Sequence, residues 1–259
     1  MHGDAAVCFG GTLETACIEP FLEDDGLQWR PATEESLDQA VIRPTGNVFA
    51  PEGGIRLLQG NLGRSLIKTS AVDPERLNIT APAVVISHQD QLRPLFERGE
   101  LDRDCVIVIR FQGPAANGMP ELHQLMPTLG VLQDRGHVVA LVTDGRLSGA
   151  SGKVPAAIHV TPEAAKGGFI GRIQNGDIIS LNVATGELSV ALDDKAFVNR
   201  PQAELPLEKH TVGRGLFRFS REVVSDAECG GCALFGPPII DAPSEAERSQ
   251  AAPYEHCAS

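Results

Sequence analysis

Positive charge is in short supply: 22 lysines and arginines face 34 acidic residues, for a formal net charge of −12. That balance argues against a general nucleic-acid binder, which needs a basic face to neutralise phosphates. An anionic small molecule could bind only where Arg, Lys or backbone N–H groups gather locally. Long hydrophobic runs are also missing. The longest, CVIVI and HVVALV, are strand-sized and far short of the ~20 residues that span a bilayer, so no membrane span is expected. Cysteine is sparse, and the six residues at 8, 17, 105, 229, 232 and 257 are scattered. This excludes a dense extracellular disulfide framework and favours reduced thiols. The stretch MHGDAAVCFGG lacks the charged, apolar and small-residue regions of a secretion signal, so the cytoplasm is the expected compartment. The remaining composition, 42% hydrophobic and 22% charged over 259 residues, is that of a globular chain able to bury a substantial core.

Residues 1 to 43 are expected to be helical and interrupted. AAVCFGGTLETACIEPFL carries apolar residues at mixed helical spacing, and TEESLDQAVI opens with a threonine and an acidic first turn. From about residue 53 the pattern changes to short β-like runs: IRLLQG, APAVVIS, CVIVIRF, HVVALV, AAIHV, DIISLNV and ELSVAL. HQDQLRPLFERG and PELHQLMPTLGVLQDRG read as helical crossovers that cover a sheet face. NVATGELSV reads as a hairpin turning at Thr185-Gly186. VGRGLFRFSREVV is expected to be a terminal helix, followed by a Pro, Ala, Ser and Glu-rich tail that frays.

The chemistry is concentrated in loops. FQGPAANGMPELH follows CVIVIR as TDGRLSGASGK follows HVVALV, and two such strand-to-loop transitions can meet at one sheet edge, where α/β proteins place ligands. Either could instead be an ordinary glycine turn. Arg146 and Lys153 give the second loop its cations. Ser148 needs activation to act as nucleophile or base, and the local order Gly145-Arg146-Leu147-Ser148-Gly149 excludes the hydrolase elbow. GNLGRSLIKTSA resembles a phosphate cradle but lacks the P-loop ending, leaving Asn61, Arg64 and Lys68 as candidate anion ligands. The CGGC at 229 to 232 could bind metal, with His256 and Cys257 as nominal partners, but one pair in a fraying tail reads as incidental. No histidine spacing matches a metal motif; His123 alone stands near a glycine-rich loop.

The segments GNLGRSLIKTSAV, DRDCVIVIRFQGPAANGMPELHQLMPTLGVL and ALVTDGRLSGASGKVPAAIHVTPEAAKGGFIGRIQNGDIISLNVATGEL closely resemble the C-terminal half of the dihydroxy-acid and phosphogluconate dehydratase family. SGASGKVPAAIHVTPEA, and Gln112 where the dihydroxy-acid branch usually carries Glu, select the sugar-acid branch. The resemblance implies an α/β fold: a β-rich swivelling β/β/α barrel-like domain with flanking helices over residues 46–225. Residues 1–45 would then be a helical remnant of a preceding domain, and 226–259 a flexible tail.

The resemblance also implies dehydration of 6-phosphogluconate in the Entner–Doudoroff pathway, with Ser148 as base. Arg146, Gly149, Lys153, Asn117, Gln112, Asn61 and Lys68 would bind substrate. A 4Fe-4S iron–sulfur cluster would be the cofactor, its ligands in an absent N-terminal half, so that Cys105, Cys229 and Cys232 are not replacements and this chain is inactive alone. A magnesium ion is the family's other implied cofactor, bound in relatives through the Glu at the Gln112 position. A neutral amide is a poor ligand for a hard cation, so no metal ligand is assigned here. A homodimer is implied for the full-length enzyme. Dihydroxy-acid dehydratase activity and a non-catalytic sugar-acid-binding or assembly module stand as the alternatives.

Overall fold

The computed structural model describes residues 2–8, 10–32, 36–50, 53–148, 152–206 and 211–234. It divides into two units, residues 1–53 and 54–259.

In the first unit, a short helix α1 (Leu13–Ala16) is capped by Thr12, and two strands, β1 (Ile18–Glu23) and β2 (Gly26–Pro31), form an antiparallel hairpin. The expected helical character is therefore corrected. IEPFLEDDGLQWRP pairs around an Asp24-Asp25 turn, with Gly26 supplying a φ of +122° that an L side chain resists. The described part of TEESLDQAVI makes turns and bends, not a helix. No described residue of this unit is buried, and Leu22 and Trp29 stand 81% and 58% exposed.

The second unit has eight strands, β3 (Ile55–Gly60), β4 (Gly63–Lys68), β5 (Asn78–Ile86), β6 (Cys105–Ile109), β7 (Val139–Thr143), β8 (Ala156–Thr161), β9 (Ile178–Asn182) and β10 (Glu187–Val190). They form a closed barrel in the order β10-β3-β4-β8-β7-β6-β5-β9. β5, β6, β7 and β8 run parallel to one another, and the connections to β4 and β9 are antiparallel. Each run expected to be a strand is one, and the Thr185-Gly186 hairpin joins β9 to β10. β4 was hidden within the cradle-like segment.

Alternation assigns the two faces. Val106 and Val108 of β6, with Ala140 and Val142 of β7, belong to the barrel interior. Cys105, Ile107, Ile109, Val139 and Leu141 point the other way, into a second core shared with the helices α2 (Leu92–Glu97) and α4 (Leu125–Asp134). These helices are the expected crossovers. Because both faces are covered, β6 and β7 read as unbroken apolar runs. A short helix α3 (Pro114–Asn117) follows β6, α5 (Asp194–Val198) follows β10, and the expected terminal helix is two pieces, α6 (Val212–Leu216) and α7 (Arg218–Val223).

The tail is ordered further than expected. Asp226 accepts from Lys166 at 2.8 Å, Glu228 pairs with Arg64 at 3.3 Å, and Ser225 Oγ bonds to the backbone at Cys229 and Cys232. These contacts fix residues 224–232 against β4 and the loop after β8. The rest of the proposed flexible tail, from 235, lies outside the described residues. Among the described residues no helix is long and apolar enough to cross a membrane.

Candidate active site

The carboxyl ends of the parallel strands converge on Asp144, the residue that follows β7. It is fully buried, and its carboxylate accepts N–H bonds from Gln112 at 2.8 Å, Phe111 at 3.1 Å and Ala164 at 2.9 Å. One side chain thus ties together the loops after β6, β7 and β8. Burial raises its pKa to about 6, against the three N–H donors that favour the charged form.

Glu163, also buried, does the same for α3. It accepts from the N–H groups of Ala115 at 2.8 Å and Ala116 at 3.0 Å, and burial raises its pKa as well. Gly145 permits the close approach of these loops, since a Cβ there would lie 2.6 Å from that of Gln112.

The two candidate loops do meet. Glu121 and Arg146 form a parallel bridge. Arg146 Nε donates to the carbonyl of Met119 at 2.8 Å and Nη1 to Glu121 Oε2 at 3.2 Å, while Glu121 Oε1 accepts from the Ser148 N–H at 3.0 Å. Arg146 and Ser148 are therefore held by one carboxylate, with Ser148 exposed at the surface of the loop. Gly149 lies outside the described residues. Phe111, Met119 and His159, the non-glycine described residues with positive φ (+62°, +52° and +57°), all stand in or beside these loops. His159 N–H bonds to the Gly145 carbonyl at 2.9 Å. Such conformations cost roughly 1–3 kcal/mol each and persist where surrounding contacts impose them.

Gln112 is 2% exposed, and its amide is engaged at both ends. Nε2 donates to the carbonyls of Ser87 at 2.9 Å and Arg110 at 3.1 Å, and Oε1 accepts from Asn117 Nδ2 at 3.2 Å. Two carbonyl oxygens facing this group require a donor, so a carboxylate could not replace it without repulsion. Asn117, half-buried, in turn accepts from Arg214 Nη1 at 2.7 Å.

The remaining candidates are distributed. Asn61 sits at the same barrel end, in the β3–β4 turn near the end of β8, but its side chain bonds both backbone groups of Val190 at 2.8 and 2.9 Å. Lys68 closes β4 opposite Ile55, at the other end of the barrel. Lys153 also lies away from the loop edge. Its carbonyl accepts from Gln133 of α4 at 3.2 Å, and the Pro155 carbonyl that follows pairs with Leu141 midway along β7. His123 is exposed before α4.

No described group of three or more His, Cys, Asp or Glu residues could hold a metal ion. Cys105 is buried with its thiol pushed up to about 11, and Cys8, Cys17 and Cys232 are free thiols without such a cluster. The described residues do not fit an iron–sulfur cluster.

Asp144, Glu163 and Glu121 were not singled out by sequence. For Asp144 a signal existed: a carboxylate directly after an apolar strand buried along its length.

Residues 40–231 match the model of the dihydroxy-acid/6-phosphogluconate dehydratase C-terminal family. The phosphogluconate dehydratase of Pseudomonas aeruginosa is 51% identical over 235 residues, which is 90% of this chain and 39% of the relative. That of Zymomonas mobilis is 48% identical over 91% of this chain and 39% of its own length. A dihydroxy-acid dehydratase of Wolinella succinogenes is 34% identical over 85% of the chain and 39% of the relative. The chain spans about two fifths of the length of these curated relatives. It belongs to the dihydroxy-acid/6-phosphogluconate dehydratase family, whose C-terminal portion it matches.

Proposed function

We propose that this chain is the C-terminal part of a phosphogluconate dehydratase, a hydro-lyase that converts 6-phospho-D-gluconate to 2-dehydro-3-deoxy-6-phosphogluconate and water in the Entner–Doudoroff pathway of the cytoplasm. The observation that carries the reading is the Glu121 clamp, which presents Ser148 and Arg146 together at the carboxyl end of the barrel's parallel strands. The 51% identity to a phosphogluconate dehydratase, against 34% to a dihydroxy-acid dehydratase, supports the sugar-acid branch.

In this reading Ser148, as its alkoxide, takes the proton from C2 while the C3 hydroxyl leaves as hydroxide; that hydroxide takes up the proton to become water, and the enol that remains tautomerises to the 2-oxo product. A serine hydroxyl is too weak an acid to serve unaided. Arg146, ion-paired with Glu121 at 3.2 Å, holds the Ser148 loop and offers a fork that suits a substrate carboxylate, while the cationic help that Ser148 needs is left to the portion of the enzyme outside this chain. Asp144 and Gln112 position the loops without entering the chemistry. The iron–sulfur cluster of the family belongs, in this reading, to the portion of the enzyme outside this chain. Gly149 is assigned to substrate binding by the family resemblance, and Lys153, whose backbone lies away from the loop edge, is given no contact with the reacting atoms. The full-length enzyme would be a homodimer.

Anaerobic dehydration of 6-phosphogluconate tests this, using the chain alone and the chain mixed with the N-terminal portion of a relative after iron and sulfide reconstitution. Turnover in the mixture alone, abolished by Ser148→Ala, is expected. Turnover by the chain alone would overturn the assignment of the cluster to another portion. Turnover of a dihydroxy acid but not of phosphogluconate would move the chain to the other branch.

A further inference from the structure

The β1–β2 hairpin of the first unit has two chemically different faces. Ile18 stands opposite Pro31, Pro20 opposite Trp29, and Leu22 opposite Leu27. Directly opposed residues project to the same side of a strand pair, and that side alternates along each strand. These six apolar side chains therefore share one face, and it carries no charge. The other face holds Glu19, Phe21 and Glu23 of β1 with Gln28 and Arg30 of β2. Its groups answer one another: Arg30 Nε pairs with Glu19 Oε1 at 2.6 Å, and the Arg30 guanidinium lies 4.9 Å from the centroid of the Phe21 ring.

Exposure is the reverse of what a hairpin standing alone in water requires. All six residues of the apolar face are exposed, Ile18 by 52%, Leu22 by 81%, Leu27 by 61% and Trp29 by 58%, whereas Glu19 and Phe21 on the charged face are partly covered. An isolated two-stranded hairpin is at best marginally stable in water and needs a third strand or a packed face. A contiguous apolar surface rimmed by polar residues marks an interaction site.

The position of the hairpin in the family points to its partner. The match to the C-terminal family begins at residue 40, after β2. The match to the Pseudomonas aeruginosa phosphogluconate dehydratase covers 90% of this chain, more than residues 40–259 amount to, so it reaches back into the segment before residue 40. That segment is thus shared with the longer enzyme but lies outside the C-terminal family match. Only 39% of the longer enzyme is matched. A second copy of this chain would cover the apolar face without accounting for either fact.

We propose that the apolar face of the β1–β2 hairpin is the docking surface for the N-terminal portion of the dehydratase. The identity of this occupant rests on the dehydratase reading above.

Trp29 is the single tryptophan of the chain, so a chain grown on fluorotryptophan reports on this face through one fluorine resonance. In the chain alone the resonance should move between light and heavy water, as that of an exposed indole does, at every protein concentration. Addition of the unlabelled N-terminal portion of the Pseudomonas aeruginosa relative should shift the resonance and remove its solvent dependence, with the two portions eluting together. Leu22→Glu should weaken the association by about tenfold or more, because a charge is then buried against apolar surface. Leu27→Thr, which keeps a β-branched residue in the strand, should weaken it less and guards against a hairpin defect in the Leu22 variant. Gln28→Glu puts the same charge on the opposite face and should leave the association unchanged.

Shielding of Trp29 in the dilute chain alone, or shielding that grows with the concentration of this chain alone, would overturn the assignment. So would an association that leaves Trp29 exposed or that neither Leu22→Glu nor Leu27→Thr weakens. A single polypeptide with the N-terminal portion joined ahead of residue 1 decides the matter where the separate portions do not associate. There the resonance lost in Trp29→Phe should be a shielded one, and an exposed one overturns the proposal. The joined polypeptide also separates this inference from the dehydratase reading. Turnover with Trp29 exposed removes the docking face and keeps the enzyme assignment. Trp29 shielded in a joined polypeptide without turnover of 6-phosphogluconate keeps the docking face and removes the enzyme assignment.

Discussion

The two halves of the barrel use the same strand geometry differently. β6 and β7 are buried on both faces, against the barrel interior and against α2 and α4. β3, β9 and β10 bury one face and leave alternate residues accessible, as in β3, where Leu58 is buried and Leu57 is 44% exposed. The parallel half needs crossover connections, and those connections place long loops at the strand ends. In the other half tight hairpins join β3 to β4 and β9 to β10, and a short parallel pairing of β10 with β3 closes the barrel. The candidate site therefore lies on the parallel side, where loops are long and the strands beneath them are anchored from both faces.

Substitutions can break this contrast. The largest effect is expected from Ile107→Ala in β6, a fully buried side chain beneath the helices. It should lower unfolding free energy in urea by about 4 kcal/mol. Gln112→Glu should cost about 3 kcal/mol, because a carboxylate would face the carbonyls of Ser87 and Arg110 in a buried site and lose both donated bonds. A stable Gln112→Glu variant would show that the loop end is looser than its hydrogen bonds indicate.

A smaller effect comes from pH. The carboxyl of Asp144 has a raised pKa of about 6, against an ordinary value of 3.8. Between these values the folded state therefore holds a proton that the unfolded state has released, and stability contributed by this group should rise as pH falls. The stability gap between the natural chain and Asp144→Asn should accordingly widen from pH 7 to pH 4, by about 2 kcal/mol. A constant or narrowing gap would mean that the three N–H donors outweigh burial. The smallest effect is reserved for the other half: Leu57→Ala should cost less than about 1 kcal/mol by the same urea measurement.

The difference between halves also explains what was legible in the sequence. CVIVI and HVVALV announced strands because both faces are apolar, and the loops that follow them were recognisable as a pair. β4 was obscured because its inward positions include Ser65, which is buried and bonds the Ile158 carbonyl at 2.9 Å. A polar inward residue interrupts the alternation that marks a strand. The hairpin of residues 18–31 was read as helix because its apolar residues pack into no core, leaving no burial pattern to separate the two periods. At the site, Ser148 and Arg146 were legible through their motif. Glu121 and Glu163 are not, because each acts on backbone N–H groups distant in sequence, and Asp144 is marked only by its place directly after an apolar strand. Lys68 is expected at the site from its cradle-like segment and Lys153 from its loop and the family resemblance, whereas strand register places the backbone of both away from the loop edge.

The Glu121 carboxylate has one oxygen on Arg146 and the other on the Ser148 backbone. It makes the two loops a single inheritable module. A chimera that grafts residues 144–148 from one relative onto residues 110–121 of another would import a latch without its keeper, so swaps of specificity between family branches should exchange both segments together.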